Sequence, residues 1–216
     1  MTLRFYMMPG SPFAWRVHLA LEHKRVPYEP TLLSASKGDL KTAEYLALNP
    51  RGRVPTIVDD DFVLYEAAAI VEYLEDRFPD APRLFPEDIR ARARVRRLVH
   101  EVDADLFPYI LDLVQQLFRK SDPAARDAAM IARGRDGCLE ELSSFEERVA
   151  GDWLAGDRLT AADIALYPFV AMLPRFELRQ PDLALTASLG PRLTAWRGRM
   201  QALPYHDKTY PPHWKG

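Results

Sequence analysis

Hydrophobic and polar residues follow two different patterns in the first third of this 216-residue chain. Short apolar runs bounded by turn residues are typical of strands, and longer stretches repeat their apolar positions every three to four residues, as helices do. The runs predict strands at 3–8, 28–33, 54–58 and 62–65, and the longer stretches predict helices at 12–25, 40–48 and 66–78. Their order, βαβαββα, predicts a mixed α/β unit.

The pattern changes at a stretch rich in proline, Pro79–Pro86. Beyond it no run is typical of a strand, and helical spacing predicts helices at 88–120, 122–150, 160–178 and 188–203. Pro108 interrupts the first of these helical patterns and predicts a kink there. We therefore expect an α/β domain over residues 1–78, a linker over 79–87 and an all-helical domain over 88–216.

The charge composition argues against two classes of binding partner. Basic and acidic residues nearly balance, with a net charge of −2, so we expect neither nucleic acid nor an anionic membrane as a partner. The basic cluster Arg90–Arg97 is expected on a solvated or subunit-facing side of a helix, with a role in ligand binding as the alternative. No run approaches the roughly 18 apolar residues of a membrane span, and the first residues lack the pattern of a signal peptide. We therefore expect a cytoplasmic protein.

Cysteine and histidine predict little chemistry. The single cysteine, Cys138, excludes an internal disulfide and lies in a helical apolar pattern, so a buried, inert thiol is expected. The five histidines have no metal-ligand spacing, and we expect no metal site. His206 and His213 lie in an aromatic, proline-rich segment, where they either pack on the surface or partly cover a cleft.

A hydroxyl at the start of the first helix allows two interpretations. Ser11 precedes Pro12, a residue suited to the first helical turn, so its side chain can cap the helix. Ala14 supplies no acid for a reciprocal capping box, which leaves the hydroxyl open to another role. Tyr6 is a rival hydroxyl, but it lies inside the first predicted strand.

Four motifs carry a resemblance to a known family: NPRGRVPTIV, LYEAAAIVEYLEDRFP, LFPED and LTAADIAL, which begin at residues 49, 64, 84 and 159. Each motif is weak alone, but their order and spacing are specific. Together they make the chain, over essentially its whole length, resemble the glutathione S-transferases. The resemblance implies a thioredoxin-like first domain, an all-helical second domain, glutathione as co-substrate and no metal. It also implies a homodimer, with the helices near 66–77 and 88–105 at the interface.

The resemblance implies roles for residues of the first domain in binding glutathione. A cis bond before Pro55 would present the Val54 backbone to the cysteinyl part of glutathione. Glu66 would pair with the ammonium group of the γ-glutamyl end, and the helix N–H at Ala67 would bind its carboxylate. The family serine is replaced by Ala67, which costs about 1 kcal/mol of binding. Arg53 either lies near the ligand carboxylates or is simply exposed.

The resemblance also implies that Ser11 stabilises the glutathione thiolate. The spacing from Ser11 to Val17 looks most like the serine-type tau and zeta classes. Phe13, counted also among the glutathione-binding residues, would line the site of a small hydrophobic electrophile together with Phe107 and Tyr109. Core packing is an equally open interpretation for the last two.

Other functions remain open within this resemblance. The chain could be a glutathione-dependent isomerase, dehalogenase or peroxidase, although Phe13 stands where the zeta-class motif would place a cysteine. The loss of the family serine at Ala67 also leaves open a partner-binding protein without catalysis, similar to the stringent starvation proteins. Thr160 and Asp163 form a capping-box pattern, which we expect to be structural.

Overall fold

In the computed structural model, which describes residues 2–215, the chain forms two units. The first runs to Phe85 and also takes in the segment from Leu203 onward, while the second is Pro86–Ala202. From the sequence we expected residues 88–216 to form one helical domain. The last part of that range instead belongs to the first unit, where Thr209 accepts a hydrogen bond from the buried Trp15 indole.

The first unit has the predicted order of strands and helices. Its elements are β1 (Leu3–Met7), α1 (Pro12–Lys24), β2 (Tyr28–Leu32), α2 (Ala43–Leu48), β3 (Thr56–Asp59), β4 (Phe62–Tyr65) and α3 (Ala67–Arg77). The strands form one sheet in the order β2-β1-β3-β4, in which β1 pairs parallel to β2 and the other pairs are antiparallel. The chain thus has the thioredoxin-like arrangement of sheet and helices that the resemblance implies.

The register of the sheet aligns three strand ends. Tyr6, near the end of β1, lies opposite Thr56, the first residue of β3. Thr56 in turn lies opposite Tyr65, the last residue of β4. The segments that follow β1, precede β3 and follow β4 therefore all leave the sheet at the same edge.

The second unit is helical throughout its regular elements. They are α4 (Ile89–Glu101), α5 (Phe107–Leu117), α6 (Ala128–Arg148), α7 (Ala161–Glu177) and α8 (Pro191–Gln201). After α8, a short helix, α9 (His206–Thr209), belongs to the first unit. Across residues 2–215, no helix is both long and apolar enough to cross a membrane.

The predicted kink at Pro108 takes the form of a π-helical turn. Residues Val102–Leu106 join α4 to α5, and the Phe107 N–H bonds the Val102 carbonyl five residues earlier. Pro108 cannot donate the hydrogen bond that a continuous helix would need at this point. The wider turn resets the helix before α5, so the single segment expected over 88–120 is two helices.

The capping box at the start of α7 is confirmed as a folding feature. The buried Asp163 carboxylate accepts hydrogen bonds from the backbone and hydroxyl of Thr160, from Leu154 N–H and from the Trp196 indole. It therefore joins a loop, a helix start and α8 in the core of the second unit. Cys138 is buried as expected, and burial raises the pKa of its thiol to about 12, so the thiol stays protonated.

A buried ion pair ties α1 to α3. The Lys24 ammonium lies 2.8 Å from the Glu75 carboxylate and also donates to the Pro82 carbonyl. The same carboxylate accepts hydrogen bonds from the Leu84 and Phe85 backbone N–H groups. The pair therefore holds the far ends of both helices and fixes the chain that leaves α3.

Breaking this pair is expected to be costly. Lys24→Met would remove the fully buried counter-charge of Glu75 and leave only the half-buried Arg83 guanidinium, 3.8 Å from the other carboxylate oxygen. Because Arg83 remains, we expect a loss near the lower end of the about 3–5 kcal/mol that breaking a buried pair costs. Urea unfolding followed by circular dichroism measures the loss in free energy of unfolding. Arg77→Ala, which removes an exposed partner of Asp59, is the matched control and should change stability little. A Lys24→Met protein as stable as this control would contradict the role given to the pair.

Candidate functional site

A tight turn delivers the chain from β1 to Ser11. The Ser11 N–H donates to the Met8 carbonyl over 3.1 Å. Pro9 and Gly10 occupy the two central positions, and Gly10 has φ +88°. Proline followed by a residue with positive φ is the signature of a type II turn. Gly10 is therefore required for the turn that orients Ser11.

Ser11 is the N-cap of α1, but its hydroxyl is only weakly engaged. Its backbone is extended, and Oγ accepts a hydrogen bond from the Ala14 N–H at a long 3.4 Å. In this contact the hydroxyl acts as acceptor, and within residues 2–215 its proton has no acceptor. The cap interpretation and the chemical one are therefore compatible: the oxygen caps the helix while the proton is available to a ligand.

The rival hydroxyl of Tyr6 lies on the other face of the sheet. Phe5 packs against His18 of α1, with ring centroids 6.0 Å apart, and successive residues of a strand point to opposite faces. The Tyr6 ring instead lies 5.9 Å from that of Tyr45 in α2. Tyr6 therefore points away from the face on which α1 begins.

The Val54–Pro55 bond is cis, as the resemblance implied. The preceding carbonyl, that of Arg53, accepts hydrogen bonds from the Tyr45 hydroxyl at 2.6 Å and from the Asn49 amide at 2.7 Å. These two hydrogen bonds fix the position of the chain just before the Val54–Pro55 bond. The Val54 N–H and C=O have no protein partner anywhere in the described chain. The backbone edge of Val54 can therefore pair with an extended ligand.

Tyr45 and Asn49 are supporting residues that sequence reasoning missed. Asn49 is buried, and its side chain also bonds Arg51 N–H and Thr56 Oγ1. In the sequence, Asn49 before a proline indicates only the end of a helix. A buried amide that bonds Arg51, Arg53 and the first residue of β3 is visible only in the folded chain.

Glu66 occupies a strained position before α3. It has φ +75° and ψ 113°, an unusual conformation for a residue with a side chain, and its side chain is exposed. Helix α3 begins at the buried Ala67, one residue later than expected. The Ile70 N–H bonds the Glu66 carbonyl, so the N–H groups of residues 67–69 precede the intrahelical bonding pattern and face outward at the helix start.

The sheet register brings these three segments together. Ser11 follows β1, Val54 precedes β3 and Glu66 follows β4, and those three strand ends share one edge of the sheet. Two helix N-termini, those of α1 and α3, begin at this edge and present positive dipole ends to it. The arrangement suits an anionic ligand with an extended backbone.

Two more predicted residues lie next to these segments. Arg53 is exposed beside Val54. Phe13 is half-buried in the first turn of α1, and its ring lies 5.4 Å from the Arg16 guanidinium. Both residues are close in sequence to residues of the candidate site: Arg53 to Val54, and Phe13 to Ser11.

The other predicted electrophile-site residues belong to the second unit. The Phe107 ring lies 5.9 Å from that of Phe169 in α7. The Tyr109 ring lies directly on Gly137 of α6, where a Cβ atom would collide with it. Both rings thus take part in helix packing, and their role toward a second substrate stays a prediction.

Titratable groups near α1 have shifted pKa values for a structural reason. Burial lowers the pKa of His18 to about 4, so its ring is neutral near pH 7. The ring bonds the Tyr28 hydroxyl, which donates to Glu22. Among the residues that the structure describes, no group of three or more histidine, cysteine or acidic side chains could hold a metal ion.

Comparisons with known proteins point to one family. Residues 10–77 match the family model of the glutathione S-transferase N-terminal domain, and residues 100–204 match that of the C-terminal domain. Glutathione S-transferase A of Pleuronectes platessa is 31% identical, covering 95% of this chain and 89% of that protein. A probable maleylacetoacetate isomerase of Vibrio cholerae is 32% identical, and the match covers 94% of this chain and 96% of that protein. The crystal structure of a glutathione S-transferase from the Antarctic clam Laternula elliptica superposes on this chain with a TM-score of 0.83 at 32% sequence identity. The match covers 100% of this chain and 94% of the clam chain.

The strain at Glu66 yields a stability prediction. Glu66→Gly relieves the unfavourable positive φ, and we expect it to raise the free energy of unfolding by about 1 kcal/mol. Glu66→Gln keeps the backbone conformation and changes only the charge, so it is the control and should leave stability nearly unchanged. Chemical denaturation of the three proteins measures both effects. A Glu66→Gly variant less stable than the Gln control would show that the position carries no strain.

Proposed function

This chain is an enzyme of the glutathione S-transferase family, and we propose that it joins the glutathione sulfur to a small hydrophobic electrophile, with Ser11 stabilising the thiolate. The observation that supports this most directly is the state of the Ser11 hydroxyl. Its oxygen accepts one long hydrogen bond, and among residues 2–215 its proton has no acceptor. A thiolate at the sheet edge would supply that acceptor.

Glutathione binding is assigned to the groups around the same edge. The unpaired N–H and C=O of Val54, held by the turn at Pro55, bind the cysteinyl backbone of glutathione as an added strand would. Glu66 pairs with the ammonium group of the γ-glutamyl end. The N–H of Ala67 at the start of α3 binds the adjacent carboxylate, helped by the helix dipole. Arg53 is the candidate partner of a second ligand carboxylate.

Ser11 acts by hydrogen bonding, not by losing its own proton. A free thiol with a pKa near 8.5 is only a few per cent thiolate at neutral pH. The Ser11 O–H donates to the sulfur and favours the anion, while the thiol proton leaves to water. Lowering the thiol pKa by about two units corresponds to roughly 2.7 kcal/mol. The thiolate then forms a C–S bond with the electrophile, and the leaving group departs with the electron pair of the broken bond.

On this proposal Phe13 contacts the electrophile from the first unit, while Phe107 and Tyr109 stay predicted electrophile-site residues of the second unit. A second candidate reaction is the glutathione-dependent isomerisation of maleylacetoacetate, favoured by the Vibrio cholerae relative described as a probable maleylacetoacetate isomerase. Phe13 weighs against it, since a zeta-class site would have cysteine there. Assays of purified protein with an aryl halide and with maleylacetoacetate distinguish the two.

We also propose a cytoplasmic homodimer, as is usual in this family. The exposed apolar side chains Phe62, at 45%, and Ile89, at 77%, support an interface near the two segments predicted from the resemblance. These segments are the helices around 66–77 and 88–105, which correspond to α3 and α4. In the proposed domain organisation, the linker over residues 79–87 connects α3 to α4.

Ser11→Ala tests the central chemical assignment. Removing the hydroxyl should raise the pKa of the enzyme-bound glutathione thiol by about one to two units, which lowers turnover near neutral pH tenfold or more. Turnover at high pH, where the thiol ionises unaided, should fall much less. The measurement is the pH dependence of kcat/KM with a chlorodinitrobenzene electrophile.

A matched control separates this effect from the loss of a helix cap. Thr42→Ala removes the cap of α2, in which Thr42 Oγ1 accepts from Tyr45 N–H. It should cost similar stability without moving the pH profile. An unchanged profile in Ser11→Ala would remove Ser11 from the mechanism.

Ala67→Ser tests the carboxylate site at the start of α3. Restoring the hydroxyl that the family has at this position should add one hydrogen bond to glutathione, worth about 1 kcal/mol or a roughly fivefold lower Kd. Titration calorimetry with glutathione measures the change. Ala69→Ser, an exposed position in the same helical turn, is the control and should not alter Kd. Equal effects of the two serines would contradict the placement of the carboxylate at Ala67.

A further inference from the structure

A segment near the end of the chain packs along the outer side of α1. We call residues 205–214 the strap: Tyr205, α9, Tyr210 and the short turn Pro212–Trp214. Although the strap follows the helical unit in sequence, it belongs to the first unit. Within that unit the strap contacts α1, the helix whose N-cap is Ser11.

The strap contacts α1 near its far end and in its first turn. Near the far end, Lys208 pairs with Glu22 at 2.7 Å and Tyr205 bonds His23 at 3.0 Å. In the first turn of α1, the Trp15 indole N–H donates to Thr209 Oγ1 at 3.1 Å. The strap thus follows α1 over most of its length.

Trp15 is the centre of this contact. Its side chain is almost fully buried. The Tyr210 and Trp214 rings lie edge-on to it, with centroids 5.5 and 5.6 Å away. Edge-on packing of this kind fixes the relative orientation of aromatic rings. The position of Trp214 is therefore coupled to the first turn of α1.

The end of the strap covers the turn that orients Ser11. A Cβ atom built on Gly10 would lie 2.9 Å from the His213 ring and 3.4 Å from the Trp214 indole nitrogen. The two rings thus close the open side of a glycine that has φ +88°. Glycine is the residue most free to change conformation, and the 3.4 Å capping contact of Ser11 is too long to hold the turn strongly. The strap therefore adds a second restraint to a turn that is otherwise closed by the single hydrogen bond from the Ser11 N–H to the Met8 carbonyl.

We propose that the strap, through Trp214, is a positioning element for Ser11. It holds the Gly10 turn in the one conformation that directs the Ser11 hydroxyl at the sheet edge. The inference rests on the proposed role of Ser11 as thiolate donor. When the strap is loosened, Gly10 samples other conformations and the hydroxyl meets the thiol less often. The glutathione-binding groups at Val54 and Glu66 lie on other segments and keep their geometry.

Trp214→Ala tests the positioning role through a property that mere stability would not change. The pKa of bound glutathione, read from thiolate absorbance in the ultraviolet, should rise by about half a unit or more, with turnover near neutral pH falling at least about threefold. The KM for glutathione should stay within about twofold, because the binding groups are untouched. Trp214→Phe keeps a ring against Trp15 and should restore most of the wild-type pKa.

Lys208→Ala is the matched control within the strap. Its side chain is 64% exposed and its contact with Glu22 lies far along α1 from Gly10, so the thiol pKa should not move. If Trp214→Ala lowers the melting temperature too far for assay, Thr209→Val serves instead. It removes the hydrogen bond from Trp15 while nearly preserving side-chain volume, and it should shift the thiol pKa in the same direction.

A double variant separates failure of this inference from failure of the proposed function. In a Ser11→Ala background, Trp214→Ala should cause no further rise in the thiol pKa, because the positioned group is gone. An equal rise in both backgrounds would overturn the positioning role, as would an unchanged pKa in Trp214→Ala alone. If Ser11→Ala itself leaves the thiol pKa unchanged, the proposed function fails and the inference falls with it.

Discussion

The register of the central strands is the constraint on which the candidate site depends. Because Tyr6, Thr56 and Tyr65 lie on one line across the sheet, the segments around Ser11, Val54 and Glu66 must emerge together. A shift of one residue in β3 would turn its side chains to the opposite faces and separate these segments. The site is thus a consequence of strand pairing, and its chemistry comes from residues just outside the strands.

The two helices that begin at this edge are held at their other ends. The buried Lys24–Glu75 pair joins α1 to α3, while the sheet sets where both helices start. Within this frame the local conformations are unusual: Gly10 and Glu66 have positive φ and Val54–Pro55 is cis. Buried anchors support these segments, as Asn49 does where it bonds the Arg53 carbonyl and Thr56 Oγ1.

Much of the first unit was predictable from sequence because its signals are local. Apolar periodicity predicted the order of its strands and helices. In the second unit, the pattern at Thr160 and Asp163 predicted the cap of α7. The cis bond at Pro55 followed from the resemblance to a family. Contacts between distant residues were not predictable: the return of residues 205–214 to α1, the packing of Tyr109 on Gly137, and the support of the Arg53 carbonyl by Tyr45. No local pattern records such partners, whereas the interruption before α5 was predictable from Pro108 alone.

Calorimetric titration of the wild-type protein with glutathione tests the central claim most directly, since every proposed step requires the tripeptide at the sheet edge. We predict saturable binding with one glutathione per chain at ligand concentrations up to about millimolar, a range typical of enzyme substrates. Binding should be accompanied by release of a proton when the thiol ionises near neutral pH. A titration with no saturable heat at millimolar glutathione would contradict the assignment of Ser11, Val54 and Glu66 to a glutathione site.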